Sequence, residues 1–319
     1  MRPPTRVVPL LGVVLAGSVL LSGGAGAQQL DTTVLSAFRW RPIGPANMGG
    51  RITDIEGISS PSKTFYVAAA AGGVWKTTNA GTTFRPVFDN ERVASLGDLA
   101  IAPSDTNVLY LGTGEEDSRN SISPGGGVWK TTDGARTWKF IGLGETQQIG
   151  RIVVDPRDAN VVYVAALGHA WGTNRERGLY KSTNGGQSWD LVKFVSDKAG
   201  FVDVQLDPSN PDVVWASSWE RVRGPYFLYS GGPGSALWKS TDAGKTWMEV
   251  KGNGLPETRK GRINFDISRS NPKIIYAMIE ADTVMNGSRD KSVKPQVRPS
   301  GLSRAPEYFP NLSRRAMPG

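Results

Sequence analysis

The amino-acid sequence predicts an all-β fold of repeated four-stranded sheets, and three observations carry that expectation. A box recurs four times, as GGVWKTTNAGTTF (72–84), GGVWKTTDGARTW (126–138), RGLYKSTNGGQSW (177–189) and SALWKSTDAGKTW (235–247). Its closing aromatics, Phe84, Trp138, Trp189 and Trp247, stand 54, 51 and 58 residues apart. Two short apolar runs precede each box and a third follows it, with no helical periodicity in the unit.

The third unit displays the elements in order. Gly150-Arg151-Ile152-Val153-Val154 ends in the turn Asp155-Pro156, and Val161 to Ala166 forms the second run. The box supplies a third strand and a turn, and Trp189 to Phe194 is the fourth. A single sheet of this size leaves an apolar face uncovered, whereas stacking such sheets around an axis buries it. That is the logic of a β-propeller blade. A β-solenoid fits less well, since solenoid repeats run nearer about 20–30 residues.

Within the box, Asn79, Asp133, Asn184 and Asp242 take the same position. Asn and Asp both accept backbone N–H bonds in a tight turn, but Asn rarely replaces a catalytic acid, so the box is expected to be structural. The aromatic that follows is expected to pack against a sheet edge.

The ends differ from the body. Arg2 and Arg6 precede the apolar stretch Val7 to Leu21, and Ala25-Gly26-Ala27 offers small residues for cleavage before Gln28. Residues 1–27 therefore read as a signal peptide, with an uncleaved anchor as the alternative. The expected location is secreted or periplasmic, with no stable membrane anchor after cleavage. The chain has no cysteine, which excludes disulfides and thiolate metal sites. The formal charge of +8 loses two units with Arg2 and Arg6 and five net with residues 284–319, leaving one for 28–283. A nearly neutral body argues against a nucleic-acid partner.

The Ser/Thr-x-Asp/Asn-x-Gly-x-Ser/Thr-Trp pattern is similar to the Asp-box, or bacterial neuraminidase, repeat. The fuller run from Trp40-Arg41-Pro42-Ile43-Gly44-Pro45 through Gly49-Gly50-Arg51-Ile52 to Gly72-Gly73-Val74-Trp75-Lys76 resembles a large exported bacterial family related to the Vps10/sortilin N-terminal propeller. The resemblance covers residues 38–283 and implies a many-bladed propeller. Members are often labelled glycosyl hydrolase on the boxes alone.

A fifth unit starts with Gly261 to Asp266 and Ile274 to Ile279, but no fifth box follows. Residues 284–319 are basic and rich in Pro and Ser, which fits a truncated or frame-shifted copy or a disordered tail. Residues 28–283 are thus expected to hold about four and a half blades. These would form an open arc, or a small ring if the segment near Phe38–Ile43 completed the last sheet.

Aligned first strands place Arg51, Asp98, Arg151, Asp203 and Arg262 at one inner position, with alternating signs. A salt-bridged ring around the central channel is expected, or an anion site built on the three arginines. Insertions fall between second and third strands and gather on one face, the expected binding surface. They carry Glu115, Glu116, Asp117 and Arg119; His169, the single histidine, with Trp171; and Trp219, Glu220, Tyr226 and Tyr229. Aromatics beside carboxylates suit sugar recognition, and a carboxylate pair is the minimum for glycoside hydrolysis. The leading expectation is a binding propeller for a protein, peptide or carbohydrate ligand, using Arg119, His169, Trp171, Trp219 and Tyr226. The rivals are a glycosidase using Glu115 or Glu116 with Glu220, and an assembly scaffold. No cofactor and no metal are expected, since no ligand set accompanies His169.

Overall fold

A computed structural model describes residues 50–282 apart from 60, 61, 120, 121 and 253. The leader at 1–27, the segment near Phe38–Ile43 and the tail at 284–319 lie outside the described residues. The described chain is all-β and holds no α-helix.

Four complete antiparallel sheets follow one another, each paired in chain order. The first contains β1 (Ile52–Gly57), β2 (Phe65–Ala69), β3 (Gly73–Thr77) and β4 (Arg85–Pro86). The second contains β5 (Leu96–Ile101), β6 (Leu109–Thr113), β7 (Val128–Thr131) and β8 (Lys139–Gly142). The third contains β9 (Ile149–Val154), β10 (Val162–Ala166), β11 (Gly178–Ser182) and β12 (Asp190–Lys193). The fourth contains β13 (Ala199–Asp207), β14 (Asn210–Gly224), β16 (Ala236–Ser240) and β17 (Met248–Glu249), and the extra strand β15 (Phe227–Ser230) pairs with β14. The pair β18 (Lys260–Ile267) and β19 (Ile275–Ala281) begins a fifth. The first strands β1, β5, β9, β13 and β18 lie beside one another in that order, as in a propeller.

The cores sit between blades. Tyr66, Ala68 and Val74 of the first sheet meet Leu96, Leu99, Leu109 and Leu111 of the second. Tyr110 and Val128 meet Ile149, Ile152 and Val162. Tyr163 and Leu179 meet Phe201, Val204 and Val214, and Leu237 meets Phe265 and Ile267. Each junction removes apolar surface from water at about 25 cal/mol per Å², which no single sheet achieves. At the two ends the described residues supply no such cover. Ile55 is 60 % exposed where Leu99, at the equivalent position of the next sheet, is 1 %, and Tyr276 is 70 % exposed where Tyr66 is fully buried.

The box turns work as their composition implies. In the third sheet Ser188 N donates to Asn184 Oδ1 at 3.0 Å, and Ser182 Oγ donates to the same oxygen at 2.9 Å. Asp133 and Asp242 accept the equivalent backbone bonds from Thr137 at 3.0 Å and Thr246 at 2.8 Å. Gly185 and Gly186 both take positive φ, 70° and 87°, which tightens the turn. The indoles latch blades together: Trp138 Nε1 donates to Val87 O and Trp189 Nε1 to Ile141 O, each at 2.8 Å across to the preceding sheet. Trp247 instead donates to Gly244 O of its own box at 3.0 Å, and Phe84 packs edge-on against Phe65.

A second latch runs the other way. Lys76 Nζ and Tyr66 OH both reach Gly134 O in the next box. Lys181 Nζ and Tyr163 OH both reach Ala243 O. In each pair the ammonium also lies 5.0 Å from the Tyr ring centroid.

Candidate functional site

The register corrects the expected ring. The first strand of each of the four complete sheets carries a β-bulge, and the residue just past it is Asp54, Asp98, Arg151 or Asp203. Arg51 lies three residues before that position. Leu99 N donates to Asp54 Oδ2 at 3.2 Å, Ile152 N to Asp98 Oδ2 at 2.6 Å and Phe265 N to Asp203 Oδ2 at 3.3 Å. By the same bonding Asn264, not Arg262, takes the place in the fifth sheet. The Gly-Arg-Ile tripeptides at 50–52, 150–152 and 261–263 look alike in sequence but fall differently relative to the bulge.

The signs therefore do not alternate. Arg151 stands alone between Asp98, 3.3 Å from Nη1, and Asp203, 3.4 Å from Nε. Burial pushes the Asp54, Asp98 and Asp203 carboxyls upward, against the pull of Arg151. These groups hold first strands together and leave no free guanidinium for an anion at Arg151.

Arg51 and Arg262 have another use. The loop after β6 crosses toward both. Glu115 takes Arg51 bidentately, at 2.5 Å from Nε and 2.7 Å from Nη2. Glu116 takes Arg262 Nη2 at 2.6 and 2.7 Å, and Asp117 takes its Nη1 at 2.6 Å. Arg221, fully buried in β14, donates to Glu116 O at 2.9 Å and to Gln148 Oε1. One acidic loop of the second sheet thus straps the first, fourth and fifth. Burial raises the Glu116 carboxyl to about 7 although Arg262 opposes it, and lowers the Arg221 guanidinium to about 9.

The other proposed acid, Glu220, accepts Gly234 N at 2.9 Å in a different loop. Glu115, Glu116 and Glu220 are each committed to structural partners. Arg119 lies half-buried on the strap loop.

The loop expected over 219–234 is largely a hairpin. β14 runs through it to Gly224, turns at Pro225-Tyr226 and returns as β15, with Gly224 opposite Phe227. A two-residue turn needs little sequence signal beyond Gly-Pro, so the strands on either side resemble a loop in the sequence. Trp219 is consequently not a surface aromatic. It is 3 % exposed, its ring lies 5.0 Å from the Arg221 guanidinium and 5.6 Å from that of Arg262, and Nε1 donates to Ser230 Oγ at 3.0 Å.

The rim differs in kind from the centre. Trp171 sits in the loop after β10 and is 51 % exposed. Its flanks are pinned to the neighbouring blade: Arg223 N donates to Ala170 O at 3.0 Å, and Gly172 N to Arg223 O at 3.2 Å. The Arg223 guanidinium lies 5.6 Å from the Trp171 ring. Tyr226, 85 % exposed, marks the tip of the adjoining hairpin.

A residue that sequence reasoning missed holds this loop. Arg177 is fully buried and donates to Lys198 O at 3.1 Å, His169 O at 2.9 Å and Gly172 O at 3.2 Å. Burial lowers its pKa to about 10. Its signal was available: the other boxes open with Gly72, Gly126 and Ser235 at this position. His169 contributes mainly backbone, exchanging bonds of 3.2 Å with the Asn174 side chain. Among the described residues no cluster of side chains could hold a metal.

No family model matches the chain. It is similar to xyloglucanase Xgh74A of Acetivibrio thermocellus, 24% identical over 270 residues, covering 78% of this chain and 31% of that protein. It is also similar to the photosystem II assembly lipoprotein Ycf48 of a Nostoc species, 31% identical over 147 residues, covering 38% of this chain and 41% of that protein. Among solved structures, an ancestral GH74 enzyme matches with a TM-score of 0.57 and 22% identity, covering 77% of this chain and 29% of that one. The chain thus spans about a third of the length of the xyloglucanase. The likeness concerns the fold: these residues are successive blades of a β-propeller.

Proposed function

We propose that this chain is an exported propeller that binds carbohydrate on the rim bearing Trp171. The observation that carries the reading is the state of that indole. It is half-exposed, yet its backbone is bonded to the next blade on both sides and its loop is stapled from beneath by Arg177. A flat aromatic held in one orientation offers the apolar face of a sugar ring a ready surface at little entropic cost. The similar xyloglucanase supports the ligand class by its name, and residues 1–27 support export.

Protein or peptide ligands, as the Vps10/sortilin-like resemblance implies, are the alternative for the same rim. A glycosidase reading is favoured by the similarity to xyloglucanases. The side-chain geometry argues against Glu115, Glu116 and Glu220 in that role, since hydrolysis needs two carboxyl groups facing one bond across open space. Glu115 and Glu116 are clasped by different arginines and Glu220 caps a loop.

Calorimetric titration with xyloglucan oligosaccharides tests the proposal, beside a peptide pull-down and a reducing-end assay. Saturable binding is expected, weakened about tenfold or more by Trp171→Ala at unchanged Tm. Peptide capture without glycan binding would overturn it. Release of reducing ends that persists in Glu115→Gln, Glu116→Gln and Glu220→Gln would reveal an enzyme working through other residues.

A further inference from the structure

Beside Trp171 lies a groove of about 410 Å³, lined by Thr173, Asn174, Arg175, Phe194, Ser196 and Asp197. That volume falls within the roughly 300–1,000 Å³ of small-ligand clefts. One wall is the loop after β10 and the other is the connection from β12 to β13. Asn174 N donates to Asp197 O at 3.0 Å, so the walls are stitched together rather than merely adjacent.

The lining is unusual in what it leaves unused. Arg175 and Asp197 line the same groove from opposite walls, both exposed, and among the described residues no ion pair or side-chain hydrogen bond joins the two, although the Asp197 charge also acts on the buried Arg177. Phe194 is exposed although it ends the apolar run of the fourth strand. Ser196 Oγ accepts Lys198 N at 3.3 Å and Ala199 N at 3.2 Å, which leaves its hydrogen free to donate into the groove. Asn174, by contrast, spends its amide on His169.

This set selects a chemistry. The guanidinium only donates and the carboxylate only accepts, while a sugar hydroxyl does both. Both signs line the groove, so an anionic ligand meets Asp197 and a cationic one meets Arg175. A neutral polyhydroxylated ring satisfies both and lays its C–H face on Phe194. Thr173 stands two residues beyond Trp171, so their Cα atoms lie within about 7 Å of each other. One glycan chain can occupy both places.

We infer that the Arg175–Phe194–Asp197 groove is a second sugar-binding subsite, taking a neutral hexose unit of the glycan chain whose neighbouring unit stacks on Trp171. The inference rests on the carbohydrate reading of the rim. Its test is a titration ladder from glucose through the cello-oligosaccharides to the tetrasaccharide, on wild type, Trp171→Ala, Phe194→Ala, Arg175→Gln and Asp197→Asn, with Tm measured for each. Affinity of the wild type is expected to climb about tenfold along the ladder. Phe194→Ala, and separately Arg175→Gln or Asp197→Asn, should flatten the step from one ring to two while leaving glucose binding in place, and Trp171→Ala should weaken every rung. A ladder that climbs unchanged in the groove variants, but collapses in Trp171→Ala, sinks the subsite and spares the rim. A wild type that binds no oligosaccharide sinks both.

Discussion

Replacing Trp189 by Ala probes the latch that joins consecutive blades. The indole of the third box donates to Ile141 O of the second sheet at 2.8 Å and packs on the core containing Tyr110, Val128 and Ile152, beside Ile141 and Tyr180. Two losses follow. Removing a large aromatic from a packed site costs about 3–5 kcal/mol, and because this ring is only partly buried the lower end applies. The hydrogen bond contributes about 1 kcal/mol, included in that figure. Trp189→Phe separates them, keeping most of the apolar contact and losing the donor, so about 1 kcal/mol is expected. Phe84→Ala is the internal control: this aromatic closes the first box, is exposed, and has no described preceding blade to latch. Equilibrium urea unfolding by fluorescence gives all three values from midpoints at constant slope. If Trp189→Ala were no more harmful than Phe84→Ala, the closing aromatics would not be joining blades and the stacking argument would fail.

Three further outcomes follow from the side-chain contacts. Asn184→Asp should be nearly neutral because Asp133 and Asp242 accept the same bonds, whereas Asn184→Ala strands Ser188 N and should cost about 1–2 kcal/mol in the same unfolding assay. For Glu116 the folded carboxyl titrates near 7 against 4.5 when unfolded. The folded state therefore binds more protons between those values, and stability should fall as pH rises from about 4.5 to about 7; the fall should be smaller in Glu116→Gln, and an unaltered profile there would assign it elsewhere. Arg177→Met leaves three carbonyls without their donor, so about 1–3 kcal/mol is expected, with faster amide hydrogen exchange across residues 168–177 and weaker glycan binding.

Much of the architecture was legible in the chain because repetition amplifies weak signals. The box states its own turn chemistry, and four copies with Asn and Asp exchanged separated structural from catalytic use. The period of the closing aromatics marked the blades. What failed was local and has a physical cause. A β-bulge moves side chains relative to a shared tripeptide, so Arg51 and Arg262 were placed in the ring that Asp54 and Asn264 occupy. A two-residue turn at Pro225-Tyr226 hid the hairpin that buries Trp219. The partners of Glu115 and Glu116 are 64 and 146 residues distant, beyond any spacing rule. Arg177 was visible only as the one charged residue opening a box, and its three carbonyl partners exist only after folding.

The most direct measurement is a crystal structure of the chain with a bound cello- or xyloglucan oligosaccharide. A sugar ring lying flat on Trp171, at van der Waals distance of about 4 Å, with the chain continuing toward Phe194, is the expected result. Oligosaccharide seated instead among Arg151, Asp98 and Asp203, with the Trp171 face empty, would contradict the account.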